Sequence, residues 1–159
     1  MSYTADLHLH SRYAYATSKN ITLERLGAWA RVKGIDLLSS ADFTHPVWRR
    51  ELEGKLVPVS PGLYRFGGVS FVLGTEVSCV YKQGGRSRRV HMLLFAPGFA
   101  TVDRLRAAFS DAGAKLESDG RPTLRMSARD LTALALDIDP QCMVIPAHVW
   151  TPWFGLFGS

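Results

Sequence analysis

Short apolar runs alternate along this chain with segments in which apolar residues recur every three or four positions. Runs of the first kind are typical of buried strands, and the second spacing is typical of a helix with one apolar face. The helical spacing is clearest at residues 23–33, where Leu23, Leu26 and Ala30 recur between the N-cap residue Thr22 and the stop signal Gly34. This alternation of strands and helices predicts an α/β domain.

The predicted elements follow one another without an internal repeat, a low-complexity segment or an obvious linker. Strands are predicted at residues 3–9, 35–40, 63–66, 70–75, 89–96 and 142–146. Helices are predicted at residues 23–33, 102–112 and 127–138, with a helical or irregular piece at 47–56. Ser127 and Asp130 resemble a capping box at the start of the last helix, and Gly84-Gly85 marks a turn.

Composition narrows the class of protein. A length of 159 residues with 47% hydrophobic residues suits one folded domain, residues 1–159. The formal net charge of +5 weakly favours a polyanionic partner such as nucleic acid. Cys79 and Cys142 have the apolar neighbours of core residues, so a reducing, cytoplasmic setting is expected. Neither a signal peptide nor an apolar stretch that could span a bilayer is visible, so no membrane partner is expected.

Candidate metal ligands collect near the ends of the predicted strands. His8 and His10 are two residues apart, so on a strand they share one face and can hold one metal ion. Five such residues fall at the C-terminal end of a predicted strand or just beyond it, with His91 inside a strand: His8, His10, Asp42, Glu76 and His148. In parallel α/β barrels that edge of the sheet forms the active site.

Each residue also has an interpretation without a metal. The paired histidines are often exposed or hydrogen-bonded, Asp42 could cap the following helix, and His45 before a proline could be a surface loop residue. Glu76 differs, because it follows an almost wholly apolar strand where an unpaired carboxylate is costly, so it needs a cation. Imidazole and carboxylate ligands without thiolate suit zinc, manganese or iron, and a bridging carboxylate can hold two cations for phosphate-ester hydrolysis.

The order of these motifs resembles a known superfamily. Asp6-Leu7-His8-Leu9-His10, Asp42, Glu76, His91 and Pro146-Ala147-His148 follow the order typical of the polymerase and histidinol phosphatase (PHP) metal-dependent phosphoesterases. Within that superfamily the chain resembles endonuclease Q, a family of repair nucleases that nick DNA on the 5′ side of deaminated bases. The stretches that carry the resemblance are residues 8–13, 16–19, 33–38, 42–46, 118–122 and 145–154.

The resemblance implies a partial, distorted (βα)7-type barrel that is truncated at its C-terminus, with two or three zinc or manganese ions in the complete enzyme. His8, His10 and Glu76 would hold one ion. Glu76, His91 and His148 would hold a second with the catalytic metal-bound water, and Asp42 or His45 would lie near a third. Two departures are visible: Asp42-Phe43 stands where the family commonly has Asp-His, and no late Asp-x-His motif follows His148. The missing C-terminal region of the same protein is therefore an expected partner.

Substrate contacts are predicted around the same residues. The resemblance implies DNA with deaminated bases as substrate; Arg12 and Arg121 could contact a phosphate, and Trp150 and Trp153 could stack on an unpaired base. The aromatic residues could equally pack against the rest of a barrel. Basic residues around Gly84-Gly85 could follow a DNA backbone or form a solvated hairpin tip. Two other functions stay open: a small-molecule phosphatase of the histidinol phosphatase kind, and an inactive remnant that binds metal or DNA.

Overall fold

A computed structural model describes residues 2–158, so Met1 and Ser159, the ends of the predicted domain, lie outside the described residues. Within that range the chain forms eight strands and four helices. The strands are β1 (Ala5–Asp6), β2 (Leu37–Ser39), β3 (Val57–Ser60), β4 (Leu63–Phe66), β5 (Val69–Gln83), β6 (Arg86–Ala96), β7 (Thr123–Leu124) and β8 (Met143–Pro146). The helices are α1 (Leu23–Lys33), α2 (Pro46–Lys55), α3 (Phe99–Asp111) and α4 (Ala128–Ile138). The predicted α/β class is confirmed.

The strands form one mixed sheet. Strands β1, β2 and β5 are parallel neighbours, and β7 pairs parallel to the second half of β5. The β3–β4, β4–β5, β5–β6 and β6–β8 pairs are antiparallel. The main path of the sheet runs β1-β2-β5-β4-β3, and β6 with β8 and β7 branch from the long strand β5 at its centre.

The β5–β6 hairpin is the longest feature of the sheet. Its turn consists of Gly84 and Gly85 with φ values of 56° and 74°, and the tight hairpin turn with two positive φ angles favours glycine at both positions. The predicted end of a strand before Glu76 is wrong, because β5 continues to Gln83 and Glu76 lies in its interior. A carboxylate inside a buried strand is normally costly. Contacts with side chains from other parts of the chain compensate the charge of Glu76.

One other strand prediction differs from the structure, and two strands were not predicted. The predicted strand at residues 3–9 is only Ala5–Asp6, because β1 pairs with β2 solely through Ala5 and Asp6. Strands β3 and β7 are additional to the predicted set; β3 is exposed along its length, so burial leaves no alternating pattern there.

Helices α1 and α4 begin directly after the predicted capping residues, whereas α3 begins at Phe99, three residues before the predicted start. Thr22 caps α1 by accepting a hydrogen bond from the Arg25 amide, and Gly34 ends it in the left-handed conformation at φ 68°. Ser127 caps α4 in the same way through the Asp130 amide. Helix α2 follows His45 with proline at its first position. No helix in the described range is both long and apolar enough to cross a membrane.

The core divides between the two faces of the sheet. Successive residues of a strand face opposite sides, and Leu73 of β5 packs in the main core with the helices. Its neighbour Val72 instead joins a small apolar cluster around Leu93, Phe95 and Ala147 on the other face. The parity of β5 and β6 places Glu76 and His91 on this second face. Cys79 and Cys142 belong to the main core as free thiols.

Candidate metal centre

Three segments of the chain bring histidine side chains to one carboxylate. Glu76 lies inside β5, and His91 lies on the neighbouring strand, where the register pairs Glu76 with Leu93 and Ser78 with His91. His8 and His10 follow the end of β1, and His148 follows the end of β8. Parallel pairing of β1, β2 and β5 aligns the first pair of histidines with the middle of β5.

The two oxygens of Glu76 contact different groups. Its Oε1 lies 3.2 Å from His8 Nε2, 3.1 Å from His91 Nδ1 and 3.3 Å from His148 Nε2. Its Oε2 lies 3.2 Å from His10 Nε2 and accepts a hydrogen bond of 3.2 Å from Arg121. The Glu76 side chain is only 1% exposed. One buried carboxylate is thus surrounded by four imidazoles and a guanidinium.

This geometry fits divalent cations. Two ligand atoms that bind one tetrahedral zinc ion at 2.0–2.1 Å are about 3.3 Å apart, close to the separations around Oε1. Glu76 Oε1 and His91 Nδ1 are both buried and lie 3.1 Å apart, yet neither forms a hydrogen bond with a described residue. Buried polar atoms without a hydrogen bond are costly unless another group satisfies them. The ligand atoms form two groups, each within 4.8 Å: His8, His10 and Glu76, and Glu76, His91 and His148.

The charges of the centre are strongly coupled. Burial alone would raise the pKa of Glu76, but His10, His8 and His91 lower it to well below its usual range, so the carboxylate stays ionised. Burial lowers the pKa of His10, yet Asp42 and Glu76 outweigh it and raise that pKa to about 9. A metal ion that binds His10 near neutral pH would therefore have to displace a proton.

Asp42 contacts the ring nitrogen of His10 that faces away from Glu76. Its Oδ1 lies 3.1 Å from His10 Nδ1, and its Oδ2 accepts a hydrogen bond of 2.5 Å from the Ser11 amide. The side chain is fully buried, and Asp42 has a φ of 38°, in the left-handed region. Asp42 does not cap α2, whose N-cap is His45. A carboxylate that holds the far nitrogen of a histidine fixes the tautomer and direction of the metal-binding nitrogen.

His45 lies apart from both ligand groups. Its ring stacks on Tyr13 with centroids 4.1 Å apart, and burial lowers its pKa. Its Nδ1 is buried without a hydrogen-bond partner among residues 2–158. Within the same range, neither His45 nor Asp42 completes a third group of metal ligands.

The predicted substrate residues lie in three different environments. Arg121 reaches the metal centre itself through Glu76. Arg12 forms a salt bridge of 2.6 Å with Glu51 and lies over the Tyr13 ring. Trp150 and Trp153 follow His148 and are 82% and 73% exposed.

Several contacts at the centre lie beyond the sequence-based prediction. The Phe154 ring stacks on His91 at 4.8 Å, and the Phe154 carbonyl accepts a hydrogen bond from the His91 amide. Thr151 Oγ1 lies 3.0 Å from His148 Nδ1. Gly120 packs so closely on Asp42 that a Cβ at this position would lie 2.6 Å from Oδ2. The spacing of Thr151 three residues after His148 is the one local signal that could have indicated such a partner.

Comparison with known proteins adds to this geometry. No protein-family model matches the chain. Its structure superposes on the lesion-specific endonuclease PfuEndoQ from Pyrococcus furiosus with a TM-score of 0.84 at 33% sequence identity, over 97% of this chain and 36% of that protein. The chain resembles endonuclease Q. The resemblance predicted from the sequence motifs is therefore confirmed, and the chain spans about a third of the length of that endonuclease.

Two further proteins are similar to this chain. An endonuclease Q crystallised with a 27-mer duplex that carries an abasic lesion at the active site matches with a TM-score of 0.84 and 35% identity, over 96% of this chain and 36% of that one. An uncharacterised protein of Methanocaldococcus jannaschii is 25% identical over 147 residues, which are 92% of this chain and 16% of the relative. The mixed α/β fold of this chain thus matches about a third of endonuclease Q.

Proposed function

We propose that this chain forms the metal centre of a DNA repair endonuclease like endonuclease Q, which hydrolyses a phosphodiester on the 5′ side of a deaminated base. The observation that carries the proposal is the buried Glu76 carboxylate, whose oxygens lie 3.1–3.3 Å from four imidazoles. The match to endonuclease Q supports hydrolysis of DNA rather than another use of such a site. The two free, buried cysteines support a cytoplasmic setting.

In this proposal each residue around Glu76 has a defined role. His8, His10 and Glu76 would hold one cation, and Glu76, His91 and His148 a second, with zinc or manganese suited to these donors. Such cations supply Lewis acidity, which lowers the pKa of a coordinated water and offsets charge on the phosphoryl group. Asp42 orients His10, and the Arg121 guanidinium offers hydrogen bonds to a phosphate oxygen. A third cation near Asp42 or His45 would need ligands from outside residues 2–158.

The open sheet supports a barrel completed by other parts of the protein. Among residues 2–158, strands β1 and β8 each pair on one edge only. The apolar cluster of Leu93, Phe95 and Ala147 lies on the other face from the main core, and nearby Met143 is 48% exposed. Unpaired edges and exposed apolar side chains favour further strands across the gap. We infer that a region beyond these residues closes the sheet into a (βα)7-type barrel and adds DNA contacts.

The aromatic segment after His148 is suited to hold the damaged base. Trp150 and Trp153 are exposed, and the Phe154 ring of the same segment stacks on His91. An extruded base can stack on exposed aromatic rings, and stacking is worth about 1–3 kcal/mol per base. Arg12 is a weaker candidate for a phosphate contact because Glu51 already pairs with it.

The test uses the product of the complete reading frame that contains this chain. Labelled duplexes with one deoxyuridine or deoxyinosine are incubated with the protein and manganese or zinc, next to undamaged duplexes and a simple phosphomonoester. We expect a nick on the 5′ side of the damaged nucleotide. Glu76→Gln should abolish it, whereas Glu117→Gln, an exposed site outside the centre, should preserve it. Hydrolysis of the phosphomonoester alone would indicate a phosphatase, and intact DNA with no hydrolysis would contradict the proposal.

A further inference from the structure

A basic groove lies next to the metal centre, beyond the C-terminal end of α3. Its cavity volume is about 320 Å³. The polar residues that line it are Lys115, Ser118, Asp119, Arg121, Thr123 and Arg125. Three of these side chains are cationic and one is a carboxylate.

Two of the three cations in this groove, Lys115 and Arg125, have no carboxylate partner in the described range, whereas the third, Arg121, pairs with Glu76. Asp119 Oδ1 already accepts hydrogen bonds from the Tyr15 and Arg121 amides, at 3.1 Å and 3.0 Å. Lys115 and Arg125 are exposed, and neither forms an ion pair with a residue of the described range. Several other cations are neutralised by carboxylates, among them Arg12, Arg49, Lys55, Arg104 and Arg106. The groove therefore presents positive charge to solvent at a defined place.

Arg121 joins the groove to the metal centre. Its loop is held to β5 by a hydrogen bond of 2.9 Å from the Ser78 amide to the Pro122 carbonyl, and its guanidinium bonds Glu76 Oε2. His148 lies at the other oxygen, 3.3 Å from Oε1. Arg121 of the groove and His148, which precedes the aromatic segment, thus contact different oxygens of the Glu76 carboxylate.

An exposed aromatic residue is attached to the same loop. Tyr15 is 81% exposed, and its amide bonds Asp119 Oδ1. The neighbouring Gly120 amide bonds the Tyr13 carbonyl at 3.0 Å, which holds the two loops together. Positive charge beside an exposed aromatic ring is the combination that binds single-stranded nucleic acid.

We propose that this groove binds the sugar–phosphate backbone of one DNA strand beside the phosphodiester at the metal centre. Lys115 and Arg125 contact the phosphates, and Tyr15 provides a stacking surface. This inference rests on the proposed function, because DNA must reach the centre for the neighbouring phosphates to reach the groove. It gives the strand two anchors, the groove at Arg121 and the aromatic segment after His148.

The test compares two double variants of the complete protein. The groove variant is Lys115→Gln with Arg125→Gln. The control is Lys33→Gln with Arg65→Gln, which removes the same charge from two exposed cations away from the groove. Binding to an undamaged labelled strand and its duplex is measured by fluorescence anisotropy over a series of salt concentrations, and thermal unfolding checks that both variants are folded.

We expect the groove variant to bind DNA at least tenfold more weakly at about 0.1 M salt. The slope of log affinity against log salt should also become less negative by about 2, because two phosphate contacts are lost. The DNA affinity of the control should stay within about twofold of that of the unmodified protein.

Equal affinities of the groove variant and the control would overturn the inference. If the unmodified protein still nicks damaged DNA in that case, the proposed function stands alone. If the groove variant loses affinity but no lesion is cut, the groove stands and the lesion specificity fails. Absence of DNA binding would overturn both.

Discussion

At the scale of single residues, the need of Glu76 for a compensating cation can be predicted from the sequence, although the groups around it cannot. Its apolar neighbours in the sequence predict that the carboxylate needs a compensating cation. In the structure it is 1% exposed and surrounded by imidazoles, and its Oε1 is without a hydrogen-bond partner among the described residues. The need for compensation follows from residue types, whereas the identity of the compensating groups required the fold.

Asp42 offers a residue-scale prediction about metal affinity. Asp42→Asn keeps the shape of the side chain but removes the charge that holds His10 Nδ1 at 3.1 Å. Loss of such a supporting carboxylate typically weakens metal binding about 10- to 100-fold. Calorimetric titration with manganese or zinc measures the change. Asp137→Asn, at an exposed position on α4, is the matched control, and an unchanged affinity of the Asp42 variant would show that His10 needs no such support.

At the scale of elements, the alternation of β5 separates two kinds of chemistry. Glu76 faces the metal centre, whereas Cys79 faces the main core, because the two positions have opposite parity on one strand. Burial, with a smaller contribution from the charge of Asp130, raises the pKa of the Cys79 thiol to about 12. The neutral thiol is therefore strongly preferred in the folded protein.

This preference predicts a loss of stability at high pH. An unfolded thiol ionises near pH 9, so Cys79 leaves stability unchanged below that pH and reduces it as pH rises from 9 towards 12. The loss approaches about 1.4 kcal/mol per pH unit. Urea unfolding of the native chain and of Cys79→Ala at a series of pH values isolates the effect, because other titrating groups are common to both. Parallel pH profiles for the two proteins would contradict it.

The loop that carries Gly120 gives a second element-scale prediction. A Cβ on Gly120 would lie 2.6 Å from Asp42 Oδ2 and 3.0 Å from the Ala14 nitrogen, so Gly120→Ala must displace the carboxylate or the loop. We expect a loss of about 1–3 kcal/mol in the free energy of unfolding, as in overpacked cores, and weaker metal binding. Gly54→Ala on α2 is the control, since nothing lies within 4 Å there and alanine favours a helix. Equal stabilities of these two variants would exclude the close contact.

At the scale of the whole molecule, the metal centre is assembled from distant parts of the chain. Its candidate ligands are His8, His10, Glu76, His91 and His148, so cations held there would link the segment after β1, the β5–β6 hairpin and the segment after β8. Ligands that bind only the folded state stabilise it by mass action. Stability and metal binding are therefore expected to be coupled across the molecule.

Removal of metal should therefore lower the melting temperature. Addition of manganese or zinc to protein treated with a chelator should raise the melting temperature again. At a metal concentration a hundredfold above the dissociation constant, the gain in the free energy of unfolding is about 2.7 kcal/mol. Scanning calorimetry measures the shift. Glu76→Gln should remove most of this response and Glu117→Gln should retain it, whereas a full response in the Glu76 variant would place the cations elsewhere.

Local signals in the sequence determined the elements whose contacts are local. The starts of α1 and α4 depend on capping bonds within three residues, and the Gly84-Gly85 turn depends on two positive φ angles. Ligand types and their order were also readable, because imidazole and carboxylate chemistry does not depend on the fold.

Only the tertiary structure decided what depends on distant partners. Strand β1 is short because β2 pairs with just two of its residues, and β5 is long because β6 pairs with it as far as Gln83. The structure also assigned Asp42 to His10, His45 to Tyr13 and Arg121 to Glu76. Neighbours along the chain do not specify these contacts, since each joins residues that are more than thirty positions apart in the sequence.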